Sequence, residues 1–145
     1  MSISIRDKAF NPWRELEEFG KRHPELKKRH GACATFVGTM RDYNEGDEVV
    51  AMELEHYPGM TEKQLQAIVT ECSAEHEVLE SMVIHRVGKI EPGEDIVLVA
   101  VWTPHRKAAF MVCREIMEAL KSRAPFWKKE TLNDGVRWVE KNTAG

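Results

Sequence analysis

The sequence predicts an α+β fold with antiparallel sheets and about three helices, and two observations carry that expectation. Short alternating or wholly apolar stretches recur in hairpin-like pairs. Helical periodicity appears only three times, so not every strand is followed by the crossover helix that a doubly wound fold requires. At 145 residues with 42% apolar and 31% charged side chains, the composition fits one globular domain, 1–145, with a real core.

The elements follow in order. Ser2–Arg6 alternates polar and apolar side chains and reads as a short strand. Asn11 followed by Pro12 is a helix start, with an Asx cap and a proline at the first helical position. Trp13, Leu16 and Phe19 are expected on one apolar face of this helix. It should fade over residues 21–30, where Pro24 and the basic run Lys27, Lys28, Arg29 interrupt the period; that run reads first as a solvated face. GACATFVGTMR, residues 31–41, is small, β-branched or aromatic and is expected as a buried strand with close backbone approach at its glycines. DYNEGDE should loop around Gly46 into a half-buried strand with Val50, Met52 and Leu54 inward, paired antiparallel with the preceding strand.

Tyr57-Pro58-Gly59 stops that strand, and Thr61 with Gln64 has the capping-box spacing. Leu65, Ile68, Val69 and Cys72 give the next helix its apolar stripe. Residues 82–87 read as a strand, Pro92-Gly93 as a turn, and residues 96–102 as an almost wholly apolar strand buried on both faces, the centre of the core. His105-Arg106 open a last helix, along which Ala109, Val112, Ile116 and Leu120 recur up to about Arg123 before Pro125 ends it. The tail, PFWKKETLNDGVRWVE, is expected as two extended pieces around an Asn133-Asp134-Gly135 turn.

Charge and cysteine usage narrow the functions. A formal charge of −3 argues against a nucleic-acid binder held by bulk electrostatics, so any anion site must be local. No stretch approaches the ~18 apolar residues of a membrane span, and residues 1–7 lack a signal-peptide pattern; a cytoplasmic protein is expected. Cys33, Cys72 and Cys113 are odd in number and widely spaced, with no CxxC pair or clustered histidine, and are expected as buried reduced thiols, with no disulfide framework and no metal.

Several residues could carry chemistry. Arg41, at a strand end beside a glycine-bearing loop, can present a charge to a ligand or merely cap a sheet edge. His105 and Arg106 at a helix start suit an anion, since free N–H groups and the dipole already favour one; without an anion the pair works against the dipole. Lys121 and Lys128 bracket SRAPFW, whose aromatic surround could desolvate an ammonium, although lysines in a last helical turn commonly do nothing more than favour the dipole. Phe126 and Trp127 read as core or interface aromatics, and His56 as packing at a strand end.

Together the segments FVGTMRDYNEGDEV, LEHYPGMTEKQL, IHRVGKIEPGEDIVLVAV, HRKAAF and LKSRAPFWKKE resemble the molybdopterin synthase large-subunit family, from about Gly31 to Trp138. The resemblance implies an α/β-hammerhead fold, a homodimer, and a small ubiquitin-like subunit at each end of a heterotetramer. It implies that the small partner's Gly-Gly C-terminus, as a thiocarboxylate, delivers sulfur twice to cyclic pyranopterin monophosphate to form the dithiolene, without a cofactor. Carried over, the essential lysines fall on Lys121 and Lys128, the anion-binding residues on Arg41, His105 and Arg106, and further pocket positions on Phe36, Met117 and Glu130. Two departures stand out: Pro104 directly before His105, and an end at Gly145 without the longer tail some relatives use to close the pocket.

Both implied reactants are anions, which suits a cluster of cations on a mildly acidic protein. Helix geometry adds a constraint. Arg106 and Lys121 lie 15 positions apart, about 22 Å at ~1.5 Å per residue, too far for one small pterin to touch both. Antiparallel helices in a two-fold dimer would bring the start of one beside the end of the other, so His105 and Arg106 are expected from the neighbouring subunit. The alternatives are a non-catalytic anion-binding scaffold module and a sulfurtransferase acting through its own cysteine.

Overall fold

Residues 1–139 are described in a computed structural model. In chain order the elements are β1 (Ser2–Arg6), α1 (Pro12–Arg22), α2 (Leu26–Arg29), β2 (Ala32–Thr39), β3 (Tyr43–Asn44), β4 (Asp47–His56), α3 (Met60–Ser73), β5 (Glu80–Arg86), β6 (Gly88–Ile90), β7 (Asp95–Thr103), α4 (Arg106–Arg123), β8 (Phe126–Leu132) and β9 (Gly135–Val139). The expected α+β class is what forms, with α2 as a single turn beside three longer helices. Glu140, the last residue of the expected tail, lies outside the described residues.

One sheet has the order β1-β5-β7-β2, and its β1–β5 pair is parallel, so the sheet is mixed where only antiparallel pairing was expected. β7 lies between β5 and β2, and both of its faces are covered, which is why residues 97–102 are all apolar. On one face Val97, Val99 and Val101 pack against Leu65, Ile68 and Val69 of α3 and Val112, Ile116 and Leu120 of α4. On the other, Leu98, Ala100 and Trp102 meet Phe19 and Leu26 from α1 and α2, with the Phe19 and Trp102 rings stacked at 4.6 Å.

The helix starts obey local rules, with two corrections. The Asn11 side chain accepts from the N–H groups of Trp13 and Arg14, at 3.0 and 3.2 Å, as an N-cap should. Trp13, however, is 64% exposed while Phe19 is buried: six positions along a helix put two side chains about 120° apart, so they do not share a face. α3 begins at Met60, its N-cap falling two residues ahead of the expected Thr61. Gly59 stands before it at φ 84°, and Glu62, in place of Gln64, accepts from the Gly59 N–H at 3.1 Å. Thr61 instead is buried and ties two elements together, its hydroxyl accepting from the Tyr57 N–H and donating to the Pro125 carbonyl.

The second sheet runs β3-β4-β8-β9, with β6, absent from the sequence reading, also paired to β4. The expected β2–β4 pairing does not occur. β2 pairs antiparallel with β7 and β4 with β8, because the long apolar β7 offers β2 a complete ladder while β8 and β6 flank β4. β2 is therefore an edge strand, half open where full burial was expected. Its glycines do permit close approach: a Cβ on Gly31 would overlap the Pro104 carbonyl, and one on Gly38 would stand 2.8 Å from Val97 Cγ1. Along β4, Met52 and Leu54 are buried as expected, but Val50 points outward and Val49 inward, since the ladder with β8 slips between Val49 and Ala51.

Candidate active site

α4 returns antiparallel along the sheet, so its last turns lie beside the start of β7, where the first sheet meets the second. There a cavity of about 650 Å³ opens, walled by Phe36 and Gly38 of β2, Met117 and Lys121 of α4, and Phe126 and Lys128 around β8. A smaller space of about 110 Å³ shares Lys121 and Lys128 with it and adds Arg41, Asn44 and Glu130. Six of the eight residues carried over by resemblance thus converge: Phe36, Arg41, Met117, Lys121, Lys128 and Glu130.

Local structure accounts for each position. Met117 and Lys121 are one helical turn apart on the same face of α4. In β8, alternation turns Phe126, Lys128 and Glu130 inward and leaves Trp127 half exposed. Lys129, facing outward, lies 5.8 Å over the Trp138 ring. Glu130 is buried, and both of its carboxylate oxygens accept from Asn44 Nδ2 at 3.1 and 3.0 Å, while Arg137 Nε donates to one of them at 3.1 Å. The Arg137 guanidinium also reaches Asp47 at 2.8 Å and the Asn44 carbonyl at 2.9 Å, locking the β3–β4 hairpin to the β8–β9 hairpin beneath the lysines.

The electrostatics follow from this crowding. Burial first, and then the Lys121 charge, push Lys128 down to about 8, with Glu130 acting the other way and Arg41 adding to the depression.

His85, at the last inward position of β5, lines the same cavity and was passed over in the sequence reading. The residue is 8% exposed, its ring stacks on Phe126 at 3.9 Å, and burial lowers its pKa to about 4. The available signal was a polar residue at a core position of an apolar strand. Between about 4 and 6.5 the unfolded chain binds a proton that folded His85 refuses, so its contribution is complete above pH 6.5 and lost as the pH falls to about 4. The shift corresponds to about 3 kcal/mol. Wild-type protein should therefore lose more stability between pH 7 and pH 4.5 than a His85→Phe variant, measured as urea unfolding midpoints; equal losses would refute this.

His105 and Arg106 do not join the cavity of their own chain. Both are exposed at the opposite end of α4, where His105 holds the N-cap position. The cysteines differ from expectation in part: all three are free, Cys113 is buried, Cys72 is half-buried and Cys33 is exposed because it sits on the edge strand. Burial pushes the Cys113 thiol up to about 11 and raises the half-buried Cys72 thiol too, which disfavours the thiolate that a cysteine nucleophile needs. Among the described residues no three His, Cys, Asp or Glu side chains are placed to hold a metal ion, and no helix is long and apolar enough to cross a membrane.

The MoaE protein family profile matches residues 6–123. The molybdopterin synthase catalytic subunit of Pseudomonas aeruginosa is 46% identical over 140 residues, covering 97% of this chain and 91% of that one. The molybdopterin biosynthesis MoaE protein from Burkholderia ambifaria superimposes with a TM-score of 0.79 at 43% identity, over 99% of this chain and 92% of that one. Molybdopterin synthase from Staphylococcus aureus gives a TM-score of 0.82 at 30% identity, over 93% of this chain and 94% of that one.

Proposed function

The chain belongs to the MoaE protein family, and from that premise we propose that it transfers sulfur as the catalytic subunit of a molybdopterin synthase, in molybdenum cofactor biosynthesis. The observation that carries the reading is the meeting of Arg41, Lys121 and Lys128, from three separate stretches of chain, in one cavity beside Glu130. A non-catalytic anion-binding scaffold would not need a lysine brought down to about 8.

The substrate is cyclic pyranopterin monophosphate, and the sulfur comes from the thiocarboxylated Gly-Gly C-terminus of a small ubiquitin-like subunit. Arg41 holds phosphate together with His105 and Arg106 of the neighbouring subunit in a homodimer, and two small subunits complete a heterotetramer. The cations offset the repulsion between two anionic reactants. Lys128, with both protonation states populated near neutral pH, moves protons at the transferring end or acts there as an amine, and Lys121 holds the anion beside it. Phe36 and Met117 supply an apolar wall that excludes water, and Glu130 anchors the floor on Asn44 and Arg137. The cytoplasm, where free thiols persist, is the compartment this reading assigns.

The test is incubation of the chain with thiocarboxylated small subunit and the cyclic pterin phosphate, with mass analysis of the pterin. Two added sulfurs are expected. A pterin recovered unchanged would overturn the reading.

A further inference from the structure

The lysine cavity and the space beside it gather three cationic side chains, Lys121, Lys128 and Arg41; of the carboxylates there, Glu130 is engaged by Asn44 and Arg137, and the exposed Glu118 also lines the cavity. The remaining wall is largely apolar, with Val37, Val97 and Phe126 among its members. His85 stands in that wall, on the face of β5 that looks toward α4.

The tautomer of His85 follows from its contacts. Nδ1 lies 2.8 Å from the Arg86 carbonyl oxygen, and a carbonyl can only accept, so Nδ1 carries the proton. In a neutral ring the lone pair then belongs to Nε2. Phe126, two residues before Lys128, stacks on the ring with planes 16° apart and fixes its orientation. The charged or titratable groups facing it are Lys121 from α4, Lys128 from β8 and His56 from β4, and each opposes a positive charge on the ring. Its register partners on β1 and β7 are the apolar Ile5 and Val97.

We propose that His85 is a positioning residue for sulfur transfer: oriented by the Arg86 carbonyl and the Phe126 ring, it offers Nε2 to the cavity as an acceptor for an N–H of Lys128. This rests on the cavity being the sulfur-transfer site. Burial and the neighbouring Lys121 charge drive Lys128 toward the amine form. A neutral acceptor supports the ammonium without adding charge, and so keeps both forms populated at working pH.

Three substitutions separate this role from simple packing. In glutamine the side-chain oxygen can stand near the Nε2 position, in asparagine near the Nδ1 position, and phenylalanine keeps the ring and its stacking with no acceptor. The first readout uses the protein alone: the pH midpoints for labelling of Lys121 and Lys128 by an amine-reactive reagent, followed by peptide mass analysis. His85→Phe and His85→Asn should lower the Lys128 midpoint by about half a pH unit or more, while His85→Gln stays close to wild type. The second readout is sulfur transfer. His85→Phe and His85→Asn should lower kcat roughly tenfold with little change in KM for the small subunit, and His85→Gln should retain most of it. Equal midpoints in all four proteins, or equal loss in all three variants, would overturn the proposal. If wild type itself transfers no sulfur, the functional reading fails, and the labelling midpoints still decide whether His85 engages Lys128.

Discussion

Lys128→Ala is expected to lower sulfur transfer by about a thousandfold, the scale of losing a group that both moves a proton and stabilises charge in a water-poor site. Lys128→Arg should be nearly as inactive. The guanidinium keeps the positive charge but is never an amine at accessible pH, so the pair of variants separates charge from proton chemistry. A group titrating at about 8 is neutral in about one molecule in ten at pH 7, against about one in three thousand for an unperturbed lysine. If the amine is the working form, wild-type kcat rises through pH 8 and then levels. If the ammonium is, kcat falls over the same range. A Lys128→Arg protein with wild-type activity would end the amine role. These variants should fold, because Lys128 lies in a cavity wall and forms no ion pair that its loss would leave unmatched among the described residues.

The second large effect is a recovery. Lys121→Ala and Arg106→Ala homodimers should each be nearly inactive, since each lacks one element in both pockets. If His105 and Arg106 complete the pocket of the neighbouring chain, a hybrid dimer has one intact pocket and one doubly impaired. Random re-association makes about half the dimers hybrid, so about a quarter of the wild-type rate should return on mixing the two inactive proteins. Purified hybrids carrying two different tags should show about half. No recovery in purified hybrids would exclude sharing, and an Arg106→Ala homodimer that keeps its activity would place Arg106 outside the reaction. The expectation rests on α4 being one continuous helix from Arg106 to Arg123, with Lys121 in the cavity and Arg106 exposed at the other end.

Much of this was legible in the residues themselves. Asn11-Pro12 announced α1, the Ala109, Val112, Ile116, Leu120 spacing announced α4, and residues 96–102 announced the central strand, because capping and periodicity act within a few residues of chain. The lysines and Arg41 were legible for a different reason: their segments resemble a family, and resemblance carries positions that no local rule would select.

Where the reading failed, the cause was distant in sequence. β2 was matched to β4 because they follow one another, yet each found a better ladder far along the chain, β2 in β7 and β4 in β8. Val50 was turned outward by a bulge, and Cys33 was left open by its place at a sheet edge. His85 looked like one histidine among six until Phe126 and two lysines, 36 to 43 positions away, closed around it.

The sequence by itself determined the longer elements, the Asn11 cap of α1 and the side chains able to carry charge, since those depend on neighbours along the chain. Tertiary structure alone decided which strands pair, which side chains become buried, and hence which lysine loses enough solvation to be brought down to about 8. Desolvation and like-charge repulsion depend on distances in space, and those exist only once the two sheets and α4 have packed together.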